Sequence, residues 1–115
     1  MSVTLYHNPS CGTSRTVLKL IREAGIEPEI ILYLKNPPTR AELEDILAKG
    51  HLNARDILRS KEALCQELKL DQPDIKDDQI LDAITEHPKL LNRPIVVTSK
   101  GAKPCRPAEI VLDLL

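Results

Sequence analysis

The chain has no phenylalanine and no tryptophan, and tyrosine occurs only at Tyr6 and Tyr33. Its core must therefore be filled almost wholly by leucine, isoleucine, valine and alanine. Few aromatic faces remain on which bases could stack, which argues against nucleic acid as a partner. An excess of one charge is also missing: 16 lysines and arginines face 17 acidic residues, for a net charge of −1 and no basic block. A polyanionic partner is not expected. No apolar run approaches the roughly 20 residues that cross a bilayer, so no membrane partner is expected either. The N-terminus runs into a strand at Val3 without the basic, apolar and small-residue succession of a signal peptide. Three cysteines, Cys11, Cys65 and Cys105, are too few and too odd a number for a secreted disulfide framework. A reducing, cytoplasmic setting is the expectation. So is a monomer, because no apolar surface stripe is left over. The 115 residues suffice for one domain with a genuine core, and hardly for two.

What is present is a regular order of elements. Val3-Thr4-Leu5-Tyr6 reads as a strand. Thr13 to Ala24 carries Val17, Leu20, Ile21 and Ala24 at the spacing of one helical face, and Gly25 follows where a C-terminal cap belongs. Ile30-Ile31-Leu32-Tyr33-Leu34 is a continuous apolar run, the pattern of a strand buried on both sides. Together these form a βαβ unit. Thr39-Arg40-Ala41-Glu42 reads as a capping box opening a helix through about Lys49. Ser60 is expected to cap a helix carrying Leu64, Cys65 and Leu68, and a further helix should cover Asp77 to Glu86. Strand signals return at Ile95-Val96-Val97-Thr98. Ser99 to Ala102 then turn into a short edge strand near Lys103. Pro107 suits the first turn of a closing helix whose Ala108, Val111, Leu112 and Leu115 should face inward. The expected fold is α/β: a single thioredoxin-like βαβ–ββα domain over 1–115, with a helical insertion at about 39–90.

Cys11 lies in His7-Asn8-Pro9-Ser10-Cys11-Gly12-Thr13-Ser14-Arg15, at the junction of the first strand and the first helix. Unpaired N–H groups and the helix dipole at such a junction favour negative charge. They can lower a thiol pKa from about 8.5 into the range of roughly 3.5–7.5 and can also hold an oxyanion. Several familiar roles are excluded. A dithiol oxidoreductase needs Cys-x-x-Cys, but the third residue after Cys11 is Ser14. A Cys-x5-Arg phosphatase loop needs Arg where Val17 stands. No two of the three cysteines and His7, His51 and His87 have finger-like zinc spacing, so no metal is expected. What remains is a monothiol site for a small oxyanion, for which guanidinium groups are the natural partners. Arg15, Arg59, Arg93 and Arg106 sit at suggestive places. In thioredoxin-like folds the segment before the third strand passes beside the nucleophile, which would bring Arg93 and Pro94 near Cys11. A cis Arg93-Pro94 bond would fit there.

The motif His7-Asn8-Pro9-x-Cys11-Gly12-Thr13-Ser14-Arg15 resembles the active-site signature of glutaredoxin-dependent arsenate reductases. The likeness continues through Ile31-Leu32-Tyr33-Leu34-x-Asn36-Pro37-Pro38, Asn92-Arg93-Pro94-Ile95-Val96-Val97 and Cys105-Arg106-Pro107, and covers nearly the whole chain. The resemblance implies that Cys11 attacks arsenate and that Arg59, Arg93 and Arg106 surround the oxyanion. It implies that His7 supports the thiolate; Asn8, Ser14 and Arg15 complete the expected support. No cofactor is bound; glutathione is the implied co-substrate and glutaredoxin the implied protein partner. The well-known members carry a charged tail beyond the point matching Leu115, and Leu64 to Leu70 and Glu86 to Leu91 resemble a shorter branch.

Plainer roles exist for several residues. Cys65, beside Leu64 and Leu68, is expected to be buried, and Cys105 to serve packing. Asn8 and Ser14 could serve the loop's own backbone, and Pro94 only the start of a strand. Two other functions share the architecture. One is a monothiol reductase of another substrate. The other is an Spx-like transcriptional regulator, whose usual Cys-x-x-Cys switch is missing here.

Overall fold

A computed structural model describes residues 2–115. Four strands, β1 (Thr4–His7), β2 (Glu29–Leu32), β3 (Ile95–Thr98) and β4 (Gly101–Pro104), form one sheet in the order β2-β1-β3-β4. β2 runs parallel to β1, while β3 and β4 are antiparallel to their neighbours. The α-helices among the described residues are α1 (Gly12–Glu23), α2 (Arg40–Gly50), α3 (Ala63–Glu67) and α4 (Asp77–Glu86). Shorter 3₁₀ turns cover Ala54–Ile57 and Pro88–Leu90, and a 3₁₀ helix closes the chain at Ala108–Leu114.

The period-2 alternation of the central strands sorts the core onto two faces. Leu5 and Val96 point to one side, where they meet Val17 and Ile21 of α1 and Ala108, Val111 and Leu114 of the closing helix. Tyr6 and Ile95 point to the other, among Leu43, Ile46, Ile57, Ile80, Ile84, Leu90 and Leu91. Each fully buried aliphatic side chain contributes about 1.5–3 kcal/mol, so the absence of large aromatics is met by number. The helices between β2 and β3 thus cover one face of the sheet, and α1 with the closing helix the other. Thr39 caps α2 in the expected box, its hydroxyl accepting from Glu42 N–H while the Glu42 carboxylate accepts from Thr39 N–H. Gly50 ends α2 against β4, where a Cβ would run into the Ala102 carbonyl.

Four expectations are corrected. β2 is an edge strand, not one buried on both sides: Ile30 is exposed, Ile31 and Leu32 are half-buried, and Leu34 lies outside the strand in solvent. Its apolar run continues to Tyr33, which is buried past the strand's end. Ser60 caps no helix. Glu62 N–H donates to the Arg59 carbonyl in a turn, and α3 starts only at Ala63, with Leu68 exposed beyond it. On α1, Ala24 is exposed and Ser14 joins Val17 and Ile21 on the buried face. The closing helix is 3₁₀, with three residues per turn. That period buries Ala108, Val111 and Leu114, and turns Leu112 outward.

Candidate active site

The site is built where three connections meet the C-terminal end of β1. Asn8 to Cys11 form a turn closed by Cys11 N–H donating to the Asn8 carbonyl at 3.0 Å. Cys11 is the N-cap of α1, with extended backbone at φ −94° and ψ 122°. A capping side chain normally accepts from the second or third helical N–H. Here the cysteine sulfur takes that place, facing the N–H groups of Thr13 and Ser14 without closing a conventional cap bond.

The guanidinium groups come from the other half of the chain. The Arg93-Pro94 bond is cis, as is Arg106-Pro107. The Pro94 carbonyl accepts Cys105 N–H at 2.9 Å, which holds the end of β4 against the start of β3. Arg106 Nη1 then lies 3.7 Å from the Cys11 sulfur and donates to the Arg93 carbonyl at 3.2 Å. Arg59 arrives from the helical insertion. Leu58 bridges Leu91 in antiparallel fashion, Arg59 N–H donates to the Leu90 carbonyl, and Asn92 N–H donates to the Ile57 carbonyl. This lays Arg59 beside the segment leading into Arg93. A cleft of about 280 Å³ opens among Leu58, Arg59, Ser60, Lys61, Asn92 and Arg106. Arg59 Nε and Arg93 Nε are buried without a hydrogen-bond acceptor, although Glu62 stands 3.8 Å from the former. Buried donors of this kind call for an acceptor.

Partial burial by itself would raise the Cys11 pKa. The Ser14 N–H, the Arg93 guanidinium, the Thr13 N–H and the Arg106 guanidinium outweigh it together, and the thiol lies below its ordinary value. The other two thiols differ. Cys65 is fully buried and its pKa is raised by desolvation; Cys105, also buried, is pushed up to about 12 by the same cause. Neither is a ready nucleophile.

His7 is buried beside the start of α1. Burial first, then Arg22 and Arg15, lower its pKa, so the ring is neutral at pH 7. Its Nδ1 lies 2.6 Å from Ser14 Oγ, and the same oxygen accepts Asn8 N–H at 3.1 Å. The Ser14 hydroxyl thus joins the His7 ring to the Asn8 backbone, and the pair braces the start of α1. Asn8 Oδ1 accepts Ser10 N–H at 3.0 Å, so Asn8 also shapes the loop. Arg15 donates to the Pro9 carbonyl at 2.9 Å and is not among the groups that act on the Cys11 thiol. One neighbour escaped sequence reasoning: the buried Tyr33 hydroxyl, which accepts from Asn8 Nδ2 at 3.5 Å. Its signal was Tyr33 itself, one of only two aromatic residues, read there as part of a strand.

The profile of the ArsC family matches residues 6–114. The chain belongs to the ArsC family. Arsenate reductase of Rhizobium meliloti (strain 1021) is 54% identical over 115 residues, covering 100% of this chain and 82% of that protein. Arsenate reductase of Escherichia coli is 50% identical over 114 residues, covering 99% and 81%. The solved structure of arsenate reductase from Vibrio cholerae matches with a TM-score of 0.95 at 44% identity, over 100% of this chain and 98% of that one. The ArsC fold is thus the α/β, thioredoxin-like architecture expected from the order of elements. Among the described residues no helix is long and apolar enough to cross a membrane, and no cluster of three or more metal-ligating side chains occurs.

Proposed function

We propose that this ArsC-family protein reduces arsenate to arsenite through a covalent intermediate on Cys11, with electrons supplied by glutathione and glutaredoxin. The observation that carries the reading is the Cys11 sulfur, held at a helix N-terminus and 3.7 Å from Arg106 Nη1, with Arg93 as its second guanidinium neighbour. The thiolate attacks As(V); one arsenate oxygen takes up protons and leaves as water, and an S–As bond forms. Arg59, Arg93 and Arg106 hold the remaining oxygens, where charge-assisted hydrogen bonds are strongest. Glutathione then attacks the adduct, and glutaredoxin resolves the glutathionylated species. Two external thiols are oxidised to a disulfide as arsenic passes from +5 to +3, and arsenite leaves. The external supply follows from the chain's own thiols: Ser14 stands where a resolving cysteine would, and Cys65 and Cys105 are fully buried. That the relatives named above are arsenate reductases supports the choice of oxyanion.

The test is a coupled assay that follows NADPH consumption with arsenate, glutathione, glutaredoxin and glutathione reductase. Turnover with the native protein and none with Cys11→Ser is expected. Equal rates for the two would overturn the covalent mechanism. Protection of Cys11 from alkylation by arsenate, phosphate and sulfate in competition separates arsenate from another oxyanion.

A further inference from the structure

Tyr33 is a fully buried tyrosine whose hydroxyl meets the loop of the reactive sulfur, and none of the steps above uses it. The sheet places it there. Parallel pairing sets His7 opposite Leu32, so the next residues of the two strands, Asn8 and Tyr33, leave the sheet side by side. Leu32 is half-buried and Leu34 exposed, and Tyr33 alone of the three turns fully inward. Its hydroxyl accepts the Asn8 Nδ2–H at 3.5 Å. Asn8 in turn holds the nucleophile's loop, through its side-chain oxygen on Ser10 N–H and its carbonyl on Cys11 N–H. The phenol is thus linked to Cys11 through a single intervening residue.

We propose that Tyr33 is a positioning residue: its hydroxyl anchors the Asn8 side chain and so holds the loop that presents the Cys11 sulfur at the start of α1. The proposal deepens the reading of Cys11 as the reacting thiol and rests on it. Burial raises the phenol's pKa; Asn8 and Arg93 act against that rise and the Cys11 thiolate adds to it, so both site partners are within electrostatic reach of the hydroxyl. The phenol remains protonated at neutral pH. Its oxygen accepts the Asn8 Nδ2–H, and Asn8 passes that hold to Ser10 and Cys11. Without it, the Asn8 side chain loses its anchor, and the loop that carries the sulfur loses its tie to the end of β2.

The experiment is Tyr33→Phe, which keeps the ring and removes only the oxygen. Iodoacetamide alkylation of Cys11 is followed against pH, with Cys65 and Cys105 protected by burial. The midpoint is expected to move upward by roughly half to one pH unit, the scale of one lost hydrogen bond. The kcat/KM for arsenate should fall about fivefold to tenfold. Tyr6→Phe, at the other buried tyrosine, should leave the midpoint in place. A folded Tyr33→Phe protein with an unchanged midpoint would overturn the proposal, as would an equal shift in Tyr6→Phe. If Tyr33→Phe does not fold, Asn8→Ala, which removes the amide that meets the phenol, is read against Ser10→Pro, which removes only the N–H that the Asn8 oxygen accepts: a larger upward shift in Asn8→Ala supports the proposal, and an equal shift or none overturns it. Alkylation needs no arsenate, so a native protein inactive on arsenate would refute the proposed function and leave this result standing.

Discussion

Arg106 Nη1 lies 3.7 Å from the Cys11 sulfur across 95 positions of sequence, and the same nitrogen donates to the Arg93 carbonyl. One guanidinium therefore stabilises the thiolate and anchors the segment that delivers a second. The positive charge is assembled by the sheet, since β1 supplies the loop of Cys11 while β3 and β4 supply the two arginines.

The thiol of Cys11 should titrate below the value of a free cysteine, about 8.5. The direction follows from Ser14, Arg93, Thr13 and Arg106 together outweighing desolvation. The pH dependence of alkylation measures it, and a midpoint at or above the free-thiol value would remove the basis of the mechanism. Cys65→Ser should retain most of the turnover that Cys11→Ser loses.

Arg106 and Arg59 should separate two effects. Arg106→Ala removes a charge-assisted contact to the sulfur, of the kind that contributes about 1.5–3 kcal/mol. It should raise the alkylation midpoint and lower kcat/KM by about tenfold to hundredfold. Arg59 is not among the groups that act on the Cys11 thiol. Arg59→Ala should weaken arsenate binding while leaving the midpoint in place, as alkylation with and without arsenate would reveal.

Ser14→Ala should destabilise the fold while altering the thiol less than Arg106→Ala does. The change leaves His7 Nδ1 and Asn8 N–H without their shared hydroxyl, a loss of about 1–3 kcal/mol for a buried unsatisfied group. The Ser14 backbone N–H that faces the sulfur stays in place.

His7 carries a stability signature of its own. Its folded pKa is below the ordinary 6.5, so on acidification the unfolded chain takes up a proton that the folded chain resists. Stability should therefore be full above about pH 6.5 and decline as pH falls toward the folded pKa. Denaturation midpoints across pH 5–8 would record the slope, and His7→Gln should flatten it.

The closing helix offers a clean comparison. Leu114 is 1% exposed and Leu112 54% exposed. Leu114→Ala should cost about 2–5 kcal/mol of stability, and Leu112→Ala close to nothing. The reverse order would restore an α-helical period to this segment.

Local chemistry alone was enough for the parts of this protein governed by near neighbours. The Cys11 junction is legible because a strand, a short loop and an amphipathic helix follow one another, and the Thr39–Glu42 box is legible because both its bonds span three residues. Helix α4 and the β3–β4 hairpin are of the same kind. Long-range placement decided the rest. Whether β2 lies inside the sheet depends on which strands pair with it, and its apolar run looks alike in either position. A 3₁₀ and an α-helix share residue types, and packing against α1 and β3 selects which leucine is buried. His7 is neutral because burial and two arginines act on it, a sum taken over groups that the sequence sets apart. Arg59, Arg93 and Arg106 could each be named from the chain. Their convergence, and the buried Tyr33 hydroxyl set against Asn8, come from the pairing of strands and from the Leu58–Leu91 bridge.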